Sequence, residues 1–277
     1  MIHLATRAGS VRRPMPFTCP GLGDMLHQCR VAFSYAEQQR DCVTLHCTAD
    51  KYNRDKPEKW KNIMKLFPKD SIHLKFHPIK TYDEVKWINY LKYDCGLASI
   101  KTFYYGKHKG GPLEIENIKK LEDKHIVDAD TFLQYPRLTS KDYSDKIELS
   151  ENFITMQGVS SNATDDRSIT AKHVERLKEI YKEQGYDIVM LGAGNTNPLL
   201  EGPDSLPYIG YILSKAKLHV GIDSGFLHFA ELYMAPEQIH LYAKHRPDYF
   251  KHILVPSHHI YRSVANGVQH KFIEEVL

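Results

Sequence analysis

The stretch that decides the fold is Gly221-Ile222-Asp223-Ser224-Gly225-Phe226-Leu227-His228-Phe229-Ala230. An apolar run, Leu218 to Ile222, enters it, and a helical apolar pattern, Gly225 to Met234, leaves it. A strand feeding straight into a helix is the building unit of a parallel sheet. Ligands of open α/β sheets gather at the carboxyl ends of the strands, where this corner lies. There Asp223 can accept from sugar hydroxyls, while the N–H groups of Ser224 and Gly225 face an anion at the helix start. The same residues also permit a plainer reading, with Asp223 capping the helix and His228 packed in the core.

Working outward, strands alternate with amphipathic helices through most of the chain, which predicts βαβ units and parallel sheets. In the first half, Met1–Thr6, Cys42–Cys47 and Ile72–Phe76 read as strands, with Met25–Gln39 and Pro57–Phe67 as helices. Pro136–Asn152 has no periodicity and reads as a linker. Beyond it Phe153–Gln157, Asp187–Leu191, Leu218–Ile222 and Gln238–Tyr242 read as strands, and Thr170–Gln184, Tyr208–Ala216 and Gly225–Met234 as helices. The expected architecture is α/β, with two doubly wound halves, 1–150 and 151–277. A C-terminal helix is expected to pack back on the first half.

Three further strand-end loops carry candidate chemistry. In Gly21-Leu22-Gly23-Asp24, Asp24 either caps a helix or serves as a general base on a hydroxyl. In Gly158-Val159-Ser160-Ser161, with Arg167 shortly after, N–H groups, hydroxyls and a guanidinium suit a phosphate, or the serines satisfy local backbone. No Gly-Lys-Ser/Thr ending follows, so this is not a Walker loop. Gly192-Ala193-Gly194 invites a dinucleotide reading, but Pro198 stands where the helix would run and the third glycine is missing. A loop edging a base or ribose, or a plain connection, remains.

Together these pieces resemble the heptosyltransferase-like glycosyltransferases, a GT-B family with two Rossmann-like halves facing across a cleft. The resemblance covers most of residues 153–245 and, in the first half, Gly21-Leu22-Gly23-Asp24 alone. It implies a nucleoside-diphosphate sugar on the second half, held by Gly158, Ser160, Ser161, Arg167, Gly192, Asp223, Ser224, Gly225 and His228. Arg167 stands in for a family lysine at slightly different spacing. It also implies that Asp24 deprotonates the acceptor for an inverting, metal-independent transfer that uses no cofactor beyond the sugar donor. The chain is shorter than typical heptosyltransferases.

With 26% charged and 42% hydrophobic residues, the composition is that of a globular protein. No apolar run reaches the ~18 residues of a membrane span, and the start shows no secretory signal pattern. Five cysteines without C-x-x-C spacing read as reduced thiols of a cytoplasmic chain, host cytoplasm if phage-encoded. Charge is uneven: 25 Lys and Arg against 19 Asp and Glu in residues 1–150, then 12 against 15. An ordinary solvated surface explains this, as does a polyanionic acceptor on the first half. Gly23, Arg12, Lys107 and Lys109 are the candidate acceptor contacts. A basic transferase of this size also resembles phage enzymes that glycosylate or arabinosylate 5-hydroxymethylcytosine in DNA. Duplex DNA is thus the leading acceptor. Lipopolysaccharide core or another glycan is the alternative, and a non-catalytic nucleotide-sugar or DNA-binding module the third reading.

Overall fold

The computed structural model describes residues 1–6, 22–48, 56–79, 83–104, 119–128, 137–159, 169–202, 204–222, 224–243 and 269–272. Arg12, Lys107, Lys109, Ser160, Ser161, Arg167, Asp223 and the segments 244–268 and 273–277, where the C-terminal helix was expected, lie outside them. The chain forms two compact units, Met1–Pro136 and Arg137–Leu277.

The first unit is built on a five-stranded sheet of β1 (Ile2–Ala5), β2 (Val43–Thr48), β3 (Ile72–His77), β4 (Ile100–Tyr104) and β5 (Ile126–Asp128), in the order β3-β2-β1-β4-β5. All its pairings are parallel. Its helices are α1 (Leu22–Gln39), α2 (Lys56–Met64) and α3 (Glu84–Asn89). Met25, Leu26, Cys29, Ala32, Phe33 and Ala36 recur at helical spacing on α1 and are buried, so this face supplies core. Asp83 caps α3, its carboxylate accepting from the Val85 and Lys86 amides. One π turn, Tyr90–Asp94, extends that helix. Trp87, Ile88 and Leu91 pack on Ala5 and Ile100, and the Trp87 indole N–H donates to the Thr6 carbonyl at 2.8 Å.

The second unit repeats the plan with β6 (Phe153–Met156), β7 (Asp187–Met190), β8 (His219–Gly221), β9 (Ile239–Ala243) and β10 (Gln269–Phe272), ordered β10-β9-β8-β6-β7 and again all parallel. Between the strands run α4 (Ala171–Glu183), α5 (Leu206–Lys215) and α6 (Gly225–Tyr233). Thr170 caps α4, accepting from the His173 amide at 3.3 Å. Val174, Leu177 and Tyr181, three and four residues apart, then face Ile154, Met156 and Val220 in the core. Residues 137–152 hold no helix or strand, as their lack of periodicity predicts, yet they are tied down. The Leu138 amide bonds the Leu232 carbonyl, Ser140 bonds Ser214, and the Tyr143 ring meets Tyr208 and Tyr211.

Both sheets therefore contain a switch point. The chain moves from β6 outward to β7, then resumes on the other side of β6 with β8; in the first unit β1 and β4 play these parts. Right-handed crossovers on the two sides put the following segments on opposite faces, which opens a crevice at the carboxyl edge.

Candidate functional site

At that crevice in the second unit, three loops predicted to carry chemistry come together. Met156 pairs with Met190 on one side and Val220 on the other. The Leu191 amide bonds the Met156 carbonyl, and the Gln157 amide bonds the Val220 carbonyl, so the register persists past the strand ends. Gly158, Gly192 and Ser224 thus follow three adjacent strands at one edge.

Each of these residues has a distinct local part. Gly158 is buried, and a Cβ there would overlap Val174 Cγ2 and lie 3.3 Å from Ile169 Cγ1. Glycine is required at this point for α4 to approach the strand. Gly192 has φ +74, the left-handed region, and its carbonyl accepts from the Asn195 amide at 3.0 Å to close a tight turn. The dinucleotide motif considered for Gly192-Ala193-Gly194 is replaced by this turn and a 3₁₀ turn, Pro198–Leu200, that Asn197 caps.

Ser224, flanking Asp223, supplies the N-cap of α6. Its hydroxyl accepts from the Phe226 amide at 3.1 Å and donates to the side-chain carbonyl of Gln157. Gln157 in turn donates through Nε2 to the Val159 carbonyl at 2.8 Å. Gln157 and Ser224 are both buried, at 3% and 8% exposure, so the link is shielded from water and pins the two loops together. The Leu227 amide bonds the Ser224 carbonyl at 3.2 Å, so Ser224 meets both the Phe226 and the Leu227 amides, and the Gly225 amide stands at the open end of the helix.

His228 is buried in the core, as the plainer reading has it, and it also carries a partner. Its Nδ1 lies 3.2 Å from Glu231 Oε2, one turn on. A carboxylate on one ring nitrogen fixes the orientation of the other.

Sequence reasoning missed Gln157 and Glu231 as site residues. Gln157 was detectable as a polar side chain at the end of an unbroken apolar strand. Glu231, three residues after His228, was detectable as its helical neighbour.

In the first unit, the segment after β1 returns as α1, with Gly23 buried in the first turn and Asp24 as its third residue. Asp24 therefore follows the central strand at that unit's own switch point. Among the described residues no group of three or more His, Cys, Asp or Glu side chains is arranged to hold a metal ion. No described helix is long and apolar enough to cross a membrane.

No protein-family model matches the chain, and no curated protein matches it in sequence. Solved structures do match in fold. ADP-heptose lipopolysaccharide heptosyltransferase II of E. coli superposes with a TM-score of 0.53 at 14% identity, over 98% of this chain and 90% of that one. A glycosyl transferase family 9 protein from Veillonella parvula gives 0.51 at 11% identity, over 98% and 86%. The iron-containing dodecameric glycosyltransferase TibC from enterotoxigenic E. coli gives 0.46 at 14%, over 87% of this chain, which spans 57% of its length. The α/β fold class expected from the sequence, two units each on a parallel sheet, is the fold of the first two proteins, the GT-B class.

Proposed function

We propose that this chain is a glycosyltransferase that moves a sugar from a nucleoside-diphosphate donor to an acceptor hydroxyl, with inversion at the transferred carbon. The observation that carries the reading is the corner at β6 and β8. Two loops at a switch point are locked by the buried Gln157–Ser224 bond, and the nine-residue helix α6 starts there, capped by Ser224, with the Gly225 amide at its open end. That arrangement suits a diphosphate. The fold likeness to two sugar-transferring proteins raises the same expectation for this site.

In this reading the amides at the start of α6 and the Gly158 loop, with Ser160, Ser161, Asp223 and Arg167, hold the diphosphate and sugar. Gly192 edges the nucleoside, and His228, oriented by Glu231, faces the donor. As the glycosidic bond breaks, negative charge grows on the leaving diphosphate, and fixed N–H dipoles stabilise it without reorganising. Asp24 takes the proton from the attacking hydroxyl. No metal or organic cofactor is invoked. The positive balance of residues 1–150 favours an anionic acceptor met by Gly23, Arg12, Lys107 and Lys109, with hydroxymethylated duplex DNA as the leading candidate. A cytoplasmic setting is part of this reading, and Cys29, Cys42, Cys47 and Cys95 are thiols outside any disulfide.

The test incubates the chain with a panel of nucleoside-diphosphate sugars and either hydroxymethylcytosine-containing DNA or a phosphorylated core oligosaccharide, and reads product masses. Sugar on the DNA supports the leading acceptor, sugar on the oligosaccharide moves it to the glycan, and donor binding with no transfer to either leaves a binding module. Asp24→Asn is expected to lower turnover at least about a hundredfold with donor affinity kept. Wild-type turnover in that variant would overturn the base assignment.

A further inference from the structure

One aromatic side chain at the crevice of the second unit has no task in the proposed transfer. Phe226 is the second residue of α6, and it is half-buried. The Ser224 hydroxyl accepts from its amide at 3.1 Å and so fixes the backbone from which the ring grows. The ring reaches the turn that follows β7. Its Cε2 lies 3.5 Å from the point a Cβ on Gly192 would occupy, which is ordinary van der Waals contact.

Strand order gives the direction of that reach. β8, β6 and β7 are neighbours in this sequence, α6 grows from the end of β8, and Gly192 follows β7. The outer two of three adjacent strands stand about 10 Å apart. A side chain that is rooted beyond one and touches the turn beyond the other therefore passes the end of β6. There Val159 leaves its own side chain 42% exposed, while its carbonyl is held by Gln157 Nε2 at 2.8 Å. The turn itself is exposed, and glycines at 192 and 194, with φ +74 and +86, leave it bare backbone at those two points. Apolar surface and open backbone thus lie at the same edge as the Gly225 amide.

These groups ask for two different parts of one ligand. The Gly225 amide, at the positive end of α6, suits an anion. The face of a phenyl ring carries negative potential and repels phosphate oxygens, but it stacks with a flat π system. A nucleoside diphosphate carries both parts. We propose that Phe226 is the stacking platform for the donor's nucleobase, with the Gly192–Gly194 turn as the backbone wall of the slot. This rests on the reading of the second unit as the donor site. Because every base has a π face, Phe226 supplies affinity for nucleosides as a class and leaves the choice among bases to other groups.

Calorimetry of the intact chain with inorganic pyrophosphate, ADP, GDP, UDP and CDP tests this. Pyrophosphate reports on the anion corner alone, and the nucleotides add the base. At least one nucleotide is expected to bind about tenfold tighter than pyrophosphate or more, and Phe226→Ala to lose about tenfold of that affinity with pyrophosphate unaffected. Phe226→Tyr, which keeps the π face, is expected to bind as the wild type does. In Phe226→Trp the new indole is the one at the crevice, since Trp60 and Trp87 are buried in the first unit. Its fluorescence is expected to be quenched by the nucleotide and not by pyrophosphate, and this decides where pyrophosphate binds too weakly to measure or the alanine variant loses its fold. Undiminished nucleotide affinity in Phe226→Ala, or an unquenched indole with the nucleotide bound, would overturn the platform and leave the donor site standing. So would an equal loss for nucleotide and pyrophosphate, which makes Phe226 a support of α6 and nothing more. Binding of none of the five probes by the wild type would overturn the donor reading and the platform together.

Discussion

At the scale of single residues, the second unit's proposed site depends on polar groups that bond one another. Gln157 is the sharpest case. Replacing it by leucine leaves the Ser224 hydroxyl and the Val159 carbonyl without their buried partner, a loss of about 1–3 kcal/mol. Gln157→Leu is therefore expected to weaken nucleotide-sugar binding about tenfold by calorimetry, with turnover at saturating donor little changed. Loss of turnover with unchanged affinity would place Gln157 in the chemistry instead. Gly158 makes the opposite kind of demand, because its constraint is packing. Gly158→Ala drives a methyl into Val174 and is expected to cost about 1–3 kcal/mol, read as a fall in the denaturant midpoint.

Elements were legible where local pattern and tertiary role agree. The strand β1, the helix α1 with its apolar face, β2, β3 and the strand-loop-helix from β8 to α6 lie within a few residues of the sequence reading. The helix read as Tyr208–Ala216 begins earlier, at Leu206, because Pro207 suits a first turn that periodicity does not reveal. What stayed hidden has physical reasons. In β4, Ile-Lys-Thr-Phe-Tyr, pairing with the central strand overrides a weak pattern. Around Trp87 the π turn shifts the helical spacing, so no period of 3.6 survives. The hydrogen bonds of His46 with His3 and with His77 are invisible to any window, since these residues stand 43 and 31 apart and meet only through strand pairing.

Buried histidines also give the elements a common response to acid. Burial, then neighbouring His77, His3 and Lys75, push His46 on β2 down to about 3. Burial alone takes His219 on β8 to about 3, and burial with Lys271 takes His240 on β9 to about 4. Each folded value lies below the ordinary 6.5, so the unfolded chain binds these protons first. Stability is complete above pH 6.5 and declines as the pH falls from there toward 4. Each group adds a slope of up to about 1.4 kcal/mol per pH unit. Urea midpoints measured from pH 7 to 4.5 are expected to fall steadily, and to fall less steeply in His219→Gln. A flat profile would contradict the burial of His46 and His219.

For the whole molecule, the charge of the two halves makes a distinguishable forecast. If residues 1–150 meet a polyanion, raising salt from 50 to 200 mM should weaken acceptor binding about tenfold or more, as expected when two or more phosphates are neutralised. Donor binding on the second unit, which carries more acidic than basic residues, should respond much less. Fluorescence titrations at four salt concentrations check both, and a flat acceptor response removes the electrostatic argument for DNA and phosphorylated glycan alike.

Every pairing in both sheets is parallel, so neighbouring strands are joined by crossovers instead of hairpins. During synthesis, β1 emerges before the other described strands of its sheet yet sits at the centre of it, and one of its two partners, β4, follows about a hundred residues later. Until then its backbone groups on that side stay open to the wrong neighbour. The same layout that gathers loops into a crevice thus commits the chain to slow, non-local assembly with exposed strand edges, the interval in which it is most prone to self-association.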